Sequence, residues 1–156
     1  MEDIQKYLDK AFKYLSFRPR SEKEVRDKLK MKKAPSEIID KIITQLVNLK
    51  FLDDEKFAQW WIEQRTQFSP RGERVLKLEL RQKGISQDVI ESALQNTEDI
   101  VKDDLESAKK LVRKKLDRYK HLSRQKLYQK LGAYLARRGF DWQTIKKSID
   151  SELNRS

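Results

Sequence analysis

Three segments of this chain read in one frame: Leu29-Lys-Met-Lys-Lys-Ala34, Leu80-Arg-Gln-Lys-Gly-Ile85 and Leu135-Ala-Arg-Arg-Gly-Phe140. Counted from the leading leucine, an apolar residue stands four positions earlier (Val25, Leu76, Leu131) and five positions later (Ala34, Ile85, Phe140). Two more follow at ten positions (Ile39, Ile90, Ile145) and fourteen positions (Ile43, Leu94, Ile149). Short apolar patterns often align by chance, but five matched positions in three copies do not, so the chain is built from a repeated unit. Around this frame apolar residues recur at i, i+3, i+4 and i+7, and no stretch sustains a two-residue alternation. The first helix runs through Ile4, Leu8, Ala11, Phe12 and Leu15, the second through Val25 and Leu29, and the third through Ile38, Ile39, Ile42, Ile43, Leu46 and Leu49. The expected fold is all-α: three tandem three-helix repeats at 1–52, 53–97 and 98–156, the last with a longer connection around Tyr119 to Ser123. Units this small bury little apolar surface alone, so neighbours must stack, which predicts an elongated, curved, solenoid-like array.

Helix boundaries are written in the same residues. Ser21 and Glu24 form a capping box, the hydroxyl accepting from the third helical amide while the carboxylate reaches back to the serine amide. Asp53, Ser86 and Asp141 are N-caps of later helices, Pro19 and Pro35 precede helices two and three, and Gly84 and Gly139 are left-handed stops. The pairs Asp53-Asp54 and Asp103-Asp104 look like metal-binding carboxylates, yet they lie at helix starts, where negative charge is favoured, so capping is their expected role.

Several function classes drop out. The chain has no cysteine, and its one histidine, His121, lies between helices without a metal-binding neighbour. No HExxH or Ser-His-Asp arrangement occurs, and a 37% apolar content supports only a thin core, so catalytic residues, a metal site and a cofactor are not expected. Neither a basic-then-apolar leader nor a membrane-length apolar segment is present, so the expected location is the cytosol, without a membrane partner. The adjacent Trp60 and Trp61 read as packing residues, Trp61 entering the core with Phe57, Ala58 and Ile62 while Trp60 flanks it; Trp142 reads as packing too.

Charge supplies the functional signal. Of a net +11, residues 1–108 contribute nothing, with 21 basic and 21 acidic residues, whereas residues 109–156 hold 15 basic and 4 acidic. A polyanion or an acidic protein surface is therefore expected at the third repeat. On the seventh helix Leu105, Ala108, Val112, Leu116 and Tyr119 trace the buried stripe and leave Lys110, Arg113 and Lys114 on the opposite face, free to bind. On the eighth, Leu127, Leu131 and Leu135 point inward while Lys126, Lys130 and Arg137 form a separate stripe, with Arg124 and Arg138 at the ends. Such stripes suit a phosphate backbone, without base readout. Two further places bring arginines to helix N-termini: Arg18 and Arg20 before the second helix, and Arg71 and Arg74 in the turn Phe68-Ser-Pro-Arg-Gly-Glu-Arg74. That turn lacks the glycine-rich cradle and Lys-Ser/Thr of a nucleotide-binding loop.

In order along the chain, Leu15-x-x-Arg18-x-Arg20-Ser21-Glu22-x-Glu24-Val25, Phe51-Leu52-Asp53-Asp54-x-x-Phe57-Ala58 and Glu79-Leu80-x-x-Lys83-Gly84-Ile85 precede Lys126-Leu127-Tyr128 and Leu135-x-Arg137-Arg138-Gly139-Phe140. This set resembles the bacterial RecX family of recombination regulators over nearly the whole length. The resemblance implies a monomeric, non-enzymatic protein that binds in the groove of RecA recombinase filaments on single- or double-stranded DNA and restrains their ATPase and strand exchange. It departs from the family in the middle turn, where Ser69-Pro70-Arg71-Gly72 stands in place of a Gly-x-x-Arg or Gly-Pro-x-Arg approach to the helix. A free-standing, non-sequence-specific DNA-binding protein of helix-turn-helix-like units is the alternative that the charge alone allows.

Overall fold

A computed structural model describes residues 2–68, 70–97 and 104–155. Among them are nine α-helices and no strand: α1 (Glu2–Phe17), α2 (Glu22–Met31), α3 (Ser36–Asn48), α4 (Asp54–Phe68), α5 (Glu73–Gln82), α6 (Gln87–Asn96), α7 (Asp104–Tyr119), α8 (Arg124–Arg137) and α9 (Trp142–Arg155).

The repeat frame has a physical cause at the end of each second helix. Lys33, Gly84 and Gly139 share one frame position and take φ of 67°, 81° and 94°. One residue later, the amides of Ala34, Ile85 and Phe140 donate to the carbonyls of Leu29, Leu80 and Leu135, at 3.0, 3.0 and 3.2 Å. This is a Schellman stop, in which the left-handed residue lets the chain satisfy an orphan carbonyl and brings the next apolar side chain back onto the helix. The leading leucine and the apolar residue five later are thus the two ends of one capping contact. The frame residues are buried with two exceptions, Ala34 and Leu94, which are half-buried.

The caps also take their expected places. Ser21 and Glu24 form both bonds of the capping box. Asp53 accepts from the amides of Glu55 and Lys56, Ser86 from Val89, and Asp141 from Thr144. Ser123 caps α8 as well, by accepting from the Lys126 amide at 3.3 Å.

Compactness divides the described chain into two units, residues 1–61 with 80–93, and residues 62–79 with 94–156. In the first, Tyr7, Leu8, Ala11, Val25, Leu29, Ile39, Ile42, Ile43, Leu46 and Leu52 make the core. In the second, Ala108, Leu111, Val112, Leu116, Leu127, Leu131, Leu135, Phe140, Ile145 and Ile149 do so. Leu111 is buried where Leu105, expected on the inner stripe, is half-buried.

Each unit contains a repeat-to-repeat junction of the same design. In the first unit Asp54, at the start of α4, accepts from the amide of Glu22, the first residue of α2, at 2.9 Å. Gly84 approaches α2 so closely that a Cβ on it would stand 2.6 Å from the Cβ of Lys23. In the second unit Asp104, at the start of α7, accepts from the amide of Glu73 at the start of α5 at 3.4 Å, and a Cβ on Gly139 would stand 2.8 Å from the Cβ of Val75. Of the acidic pairs, Asp53 therefore caps its own helix, whereas Asp54 and Asp104 cap the second helix of the preceding repeat; Asp103 lies outside the described residues. This explains why the stops of the second and third repeats are glycines: both φ and the neighbour exclude a side chain.

At Lys33 only φ is at issue, because its side chain is exposed. Lys33→Gly is expected to stabilise the first unit by about 1 kcal/mol, the usual cost of holding a non-glycine residue in the left-handed region. The Tyr7 hydroxyl donates to the Lys33 carbonyl and would keep this contact. A rise in the denaturation midpoint at unchanged slope checks the prediction; no rise would show that the αL conformation is unstrained here.

Candidate functional site

In the second unit, the residues with functional chemistry gather where the Pro70-Arg71-Gly72 turn meets the C-terminus of α8. The Gly72 amide donates to the Arg138 carbonyl at 2.8 Å, and the Arg138 guanidinium reaches the Pro70 carbonyl at 3.5 Å. These bonds place Arg71 close to Arg138 and to Arg65 of α4. Burial, followed by the repulsion of those two guanidiniums, pushes the Arg71 pKa below the usual arginine value. Glu79 of α5 answers part of this charge by pairing with Arg65 at 3.0 Å.

Tyr134 of α8 organises the exposed side of the cluster. The Arg138 guanidinium lies 4.8 Å from its ring centroid and the Lys115 ammonium of α7 lies 4.4 Å from it, both within cation–π range. Lys130 and Arg137 stand four residues before and three after Tyr134, hence beside it on the helix surface. Lys126, Lys130 and Arg137 are exposed and form no side-chain ion pair among the described residues. The α8 stripe expected from the sequence is therefore present, with Lys115 and Tyr134, neither singled out in the sequence, joining it from α7 and α8. Arg124 lies over the Tyr128 ring at 5.8 Å, and the Tyr128 hydroxyl donates to Asp150.

The α7 stripe divides. Lys110 and Lys114 are exposed as expected. Arg113 is exposed too, but it is not free. Its Nε and one terminal nitrogen hold the buried Glu152 carboxylate of α9 at 2.7 and 3.1 Å. The hydrogen bond from Arg113 holds the Glu152 carboxyl below its usual range, against the opposing effect of burial. The expectation of a free Arg113 fails because its partner lies on another helix, invisible to a reading of α7 alone. In the middle turn Arg74 is exposed, and Ser69 lies outside the described residues.

In the first unit Arg18 and Arg20 are built into the helix corner. Arg18 pairs with Glu24 at 2.6 Å, bonds the Pro19 carbonyl at 2.7 Å and lies over the Trp60 ring at 5.6 Å. Arg20 bonds the Tyr14 carbonyl and stacks on the Tyr14 ring at 3.8 Å. Trp61 departs from its expected core position: it is half-buried, stacked on Phe57 and covered by Lys83 at 5.1 Å. No group of three or more His, Asp or Glu side chains able to hold a metal occurs among the described residues, and no helix searched there is long and apolar enough to cross a membrane.

Comparison with known proteins gives these surfaces their context. Residues 8–46, 53–94 and 102–149 match, in order, the first, second and third three-helix domains of RecX. With the regulatory protein RecX of Prosthecochloris aestuarii the chain is 38% identical over 151 residues, covering 97% of this chain and 96% of that protein. The chain belongs to the RecX family. Its likeness to the RecX regulatory protein of Bacillus velezensis is 39% over 93 residues, which is 60% of this chain and 35% of that longer protein. A crystal structure of RecX from Lactobacillus salivarius superimposes with a TM-score of 0.77 at 30% identity, covering 96% of both chains. A second crystal structure of regulatory protein RecX gives 0.80 at 27% identity, over 94% of this chain and 73% of that one. The all-α fold of three three-helix repeats is thus that of RecX, and the relatives are named as regulatory proteins.

Proposed function

We propose that this RecX-family chain binds the filaments that the RecA recombinase forms on DNA and restrains their ATPase and strand exchange. It does so as a cytosolic monomer without catalytic activity, built of repeats at 1–52, 53–97 and 98–156. The observation that carries the DNA part is the α8 stripe: Lys126, Lys130 and Arg137 are exposed and have no ion-pair partner among the described residues, and Lys130 and Arg137 lie beside Tyr134. Cations of this kind fit phosphates of single- or double-stranded DNA in a filament, giving affinity without sequence preference. Family membership supports the recombinase part. Arg71, Arg74, Lys110, Lys114, Arg124 and Arg138 extend the contact, whereas Arg18, Arg20 and Arg113 hold structure.

The test is RecA ATPase on single-stranded DNA titrated with the full chain and with a variant carrying Lys126→Ala, Lys130→Ala and Arg137→Ala. Inhibition by the parent chain is expected, with about tenfold more of the variant needed, and a salt dependence shallower by about two to three in log–log slope. Equal inhibition by both would remove the stripe from the interface. No inhibition by the parent chain, with undiminished binding to naked DNA, would replace the filament reading by a free-standing DNA-binding one.

A further inference from the structure

Counted along the sequence, residues 1–108 are neutral, yet the first repeat concentrates cations in one place. On α1, Lys10, Lys13, Tyr14 and Phe17 follow the i, i+3, i+4, i+7 spacing of a single stripe. Lys28 of α2 and Lys32, which caps the C-terminus of that helix, stand four residues apart. Together these six residues line a cleft of about 250 Å³. None of the four lysines forms an ion pair among the described residues. Unpaired like charges held together repel one another, and a bound anion relieves that repulsion.

The aromatic lining decides what kind of anion. One face of Tyr14 carries Arg20 at 3.8 Å, and Lys28 approaches the same ring at 5.2 Å. Phe17 is different: 72% of it is exposed, at the end of α1, with no ring or cation contact among the described residues. An acidic peptide would use the lysines and leave this ring in water. A duplex would offer phosphates but keep its bases stacked on one another. An unpaired strand uses both features, laying phosphates on the lysines and a base on the phenyl ring.

We propose that this cleft is a strand-binding site of the first repeat, taking single-stranded nucleic acid with its backbone on Lys10, Lys13, Lys28 and Lys32 and one base stacked on Phe17. The site is separate from the α8 stripe, and it extends the functional reading above without depending on it.

The experiment uses the full chain already carrying Lys126→Ala, Lys130→Ala and Arg137→Ala, so that the first repeat is read without the α8 stripe. A fluorescent oligothymidylate of about 15 nucleotides and a duplex of similar length are the probes. Phe17→Ala is expected to weaken oligonucleotide binding about tenfold and duplex binding less than about twofold. Changing Lys10, Lys13, Lys28 and Lys32 to Gln is expected to weaken both probes and to lower the salt slope by about three. Phe17→Leu, equally exposed and apolar but without a ring, should behave as Phe17→Ala, and circular dichroism checks that each variant folds. Photocrosslinking with bromouracil in the strand should attach it to Phe17 or Tyr14. Unchanged oligonucleotide affinity in Phe17→Ala, equal losses for strand and duplex, or adducts only outside the cleft would overturn the proposal. Displacement of the strand by polyglutamate at lower concentration than by unlabelled oligonucleotide would assign the cleft to an acidic protein instead. None of these outcomes touches the filament reading, which is measured by RecA ATPase.

Discussion

Gly72→Ala is expected to cost the second unit about 3 kcal/mol and to lower its melting temperature by about 10 °C, although the change adds only one methyl group, at a buried position of a turn. The added Cβ would stand 2.6 Å from the carbonyl carbon of Gly139, and this obstacle is backbone, so no rotamer change relieves it. The turn must retreat, and retreat breaks the 2.8 Å bond from the Gly72 amide to the Arg138 carbonyl. Gly139 cannot move to make room, because it is already set against Val75 in a left-handed conformation. The same displacement carries Arg71 away from Arg138, so the candidate site should loosen together with the fold. Hydrogen exchange of the α7, α8 and α9 amides measures the stability of this unit; protection equal to that of the parent chain would refute the clamp.

Gly72 also marks the border of what the sequence makes legible. Local chemistry can be read residue by residue: the Schellman stops put leucine and an apolar residue five apart, and the caps need only a short polar side chain before a helix. Such rules gave the nine helices and their order without any tertiary information. The close approach of Gly72 to Gly139 joins residues 67 positions apart in the chain, and Gly72 reads locally as an ordinary turn glycine. A signal was nonetheless available. In the repeat frame Gly72 aligns with Ser21, the N-cap of α2, and a glycine where the first repeat has a capping serine points to backbone crowding.

Candidate binding residues were less legible than fold for a related reason. Helical periodicity tells which face of α7 turns outward, but an outward cation is free only if no neighbouring helix supplies a carboxylate. Arg113 meets Glu152 from α9, whereas Lys126 and Lys130 on α8 meet none among the described residues, and nothing in the spacing of the three cations separates them. Summed charge misled in the opposite direction in the first repeat. Its 13 basic against 8 acidic residues vanish in the neutral total of residues 1–108, while the first repeat sorts four lysines into one cleft with two aromatic rings.

Glu24→Ala is expected to destabilise the first unit by about 2 kcal/mol, more than the loss of a helix cap alone, because four groups lose one acceptor. The carboxylate receives the Ser21 amide at 3.0 Å, both terminal nitrogens of Arg18 at 2.6 and 3.4 Å, and Lys83 at 3.2 Å. Lys83 comes from the second repeat, so this residue ties the cap of α2 to the junction that Gly84 completes. The figure stays well below that of a fully buried ion pair because the cations are partly exposed and water screens them. Glu24→Gln keeps an oxygen for the Ser21 amide and should lose about half as much. Burial pushes the Glu24 carboxyl up, but the hydrogen bonds from Arg18, Ser21 and Lys83 together outweigh it and hold the group below its ordinary value of 4.5. A lowered folded-state value means that the stabilisation is complete above the ordinary value and disappears as the pH falls through the folded one. Glu24→Gln should therefore narrow its deficit on acidification, the two chains converging once the parent carboxylate is protonated. Trp60 and Trp61 lie in this unit, so urea denaturation followed by their fluorescence, with Trp142→Phe removing the third tryptophan, reads it directly. A deficit that stays constant from neutral pH to below the carboxylate range would show that the charge of Glu24 contributes nothing.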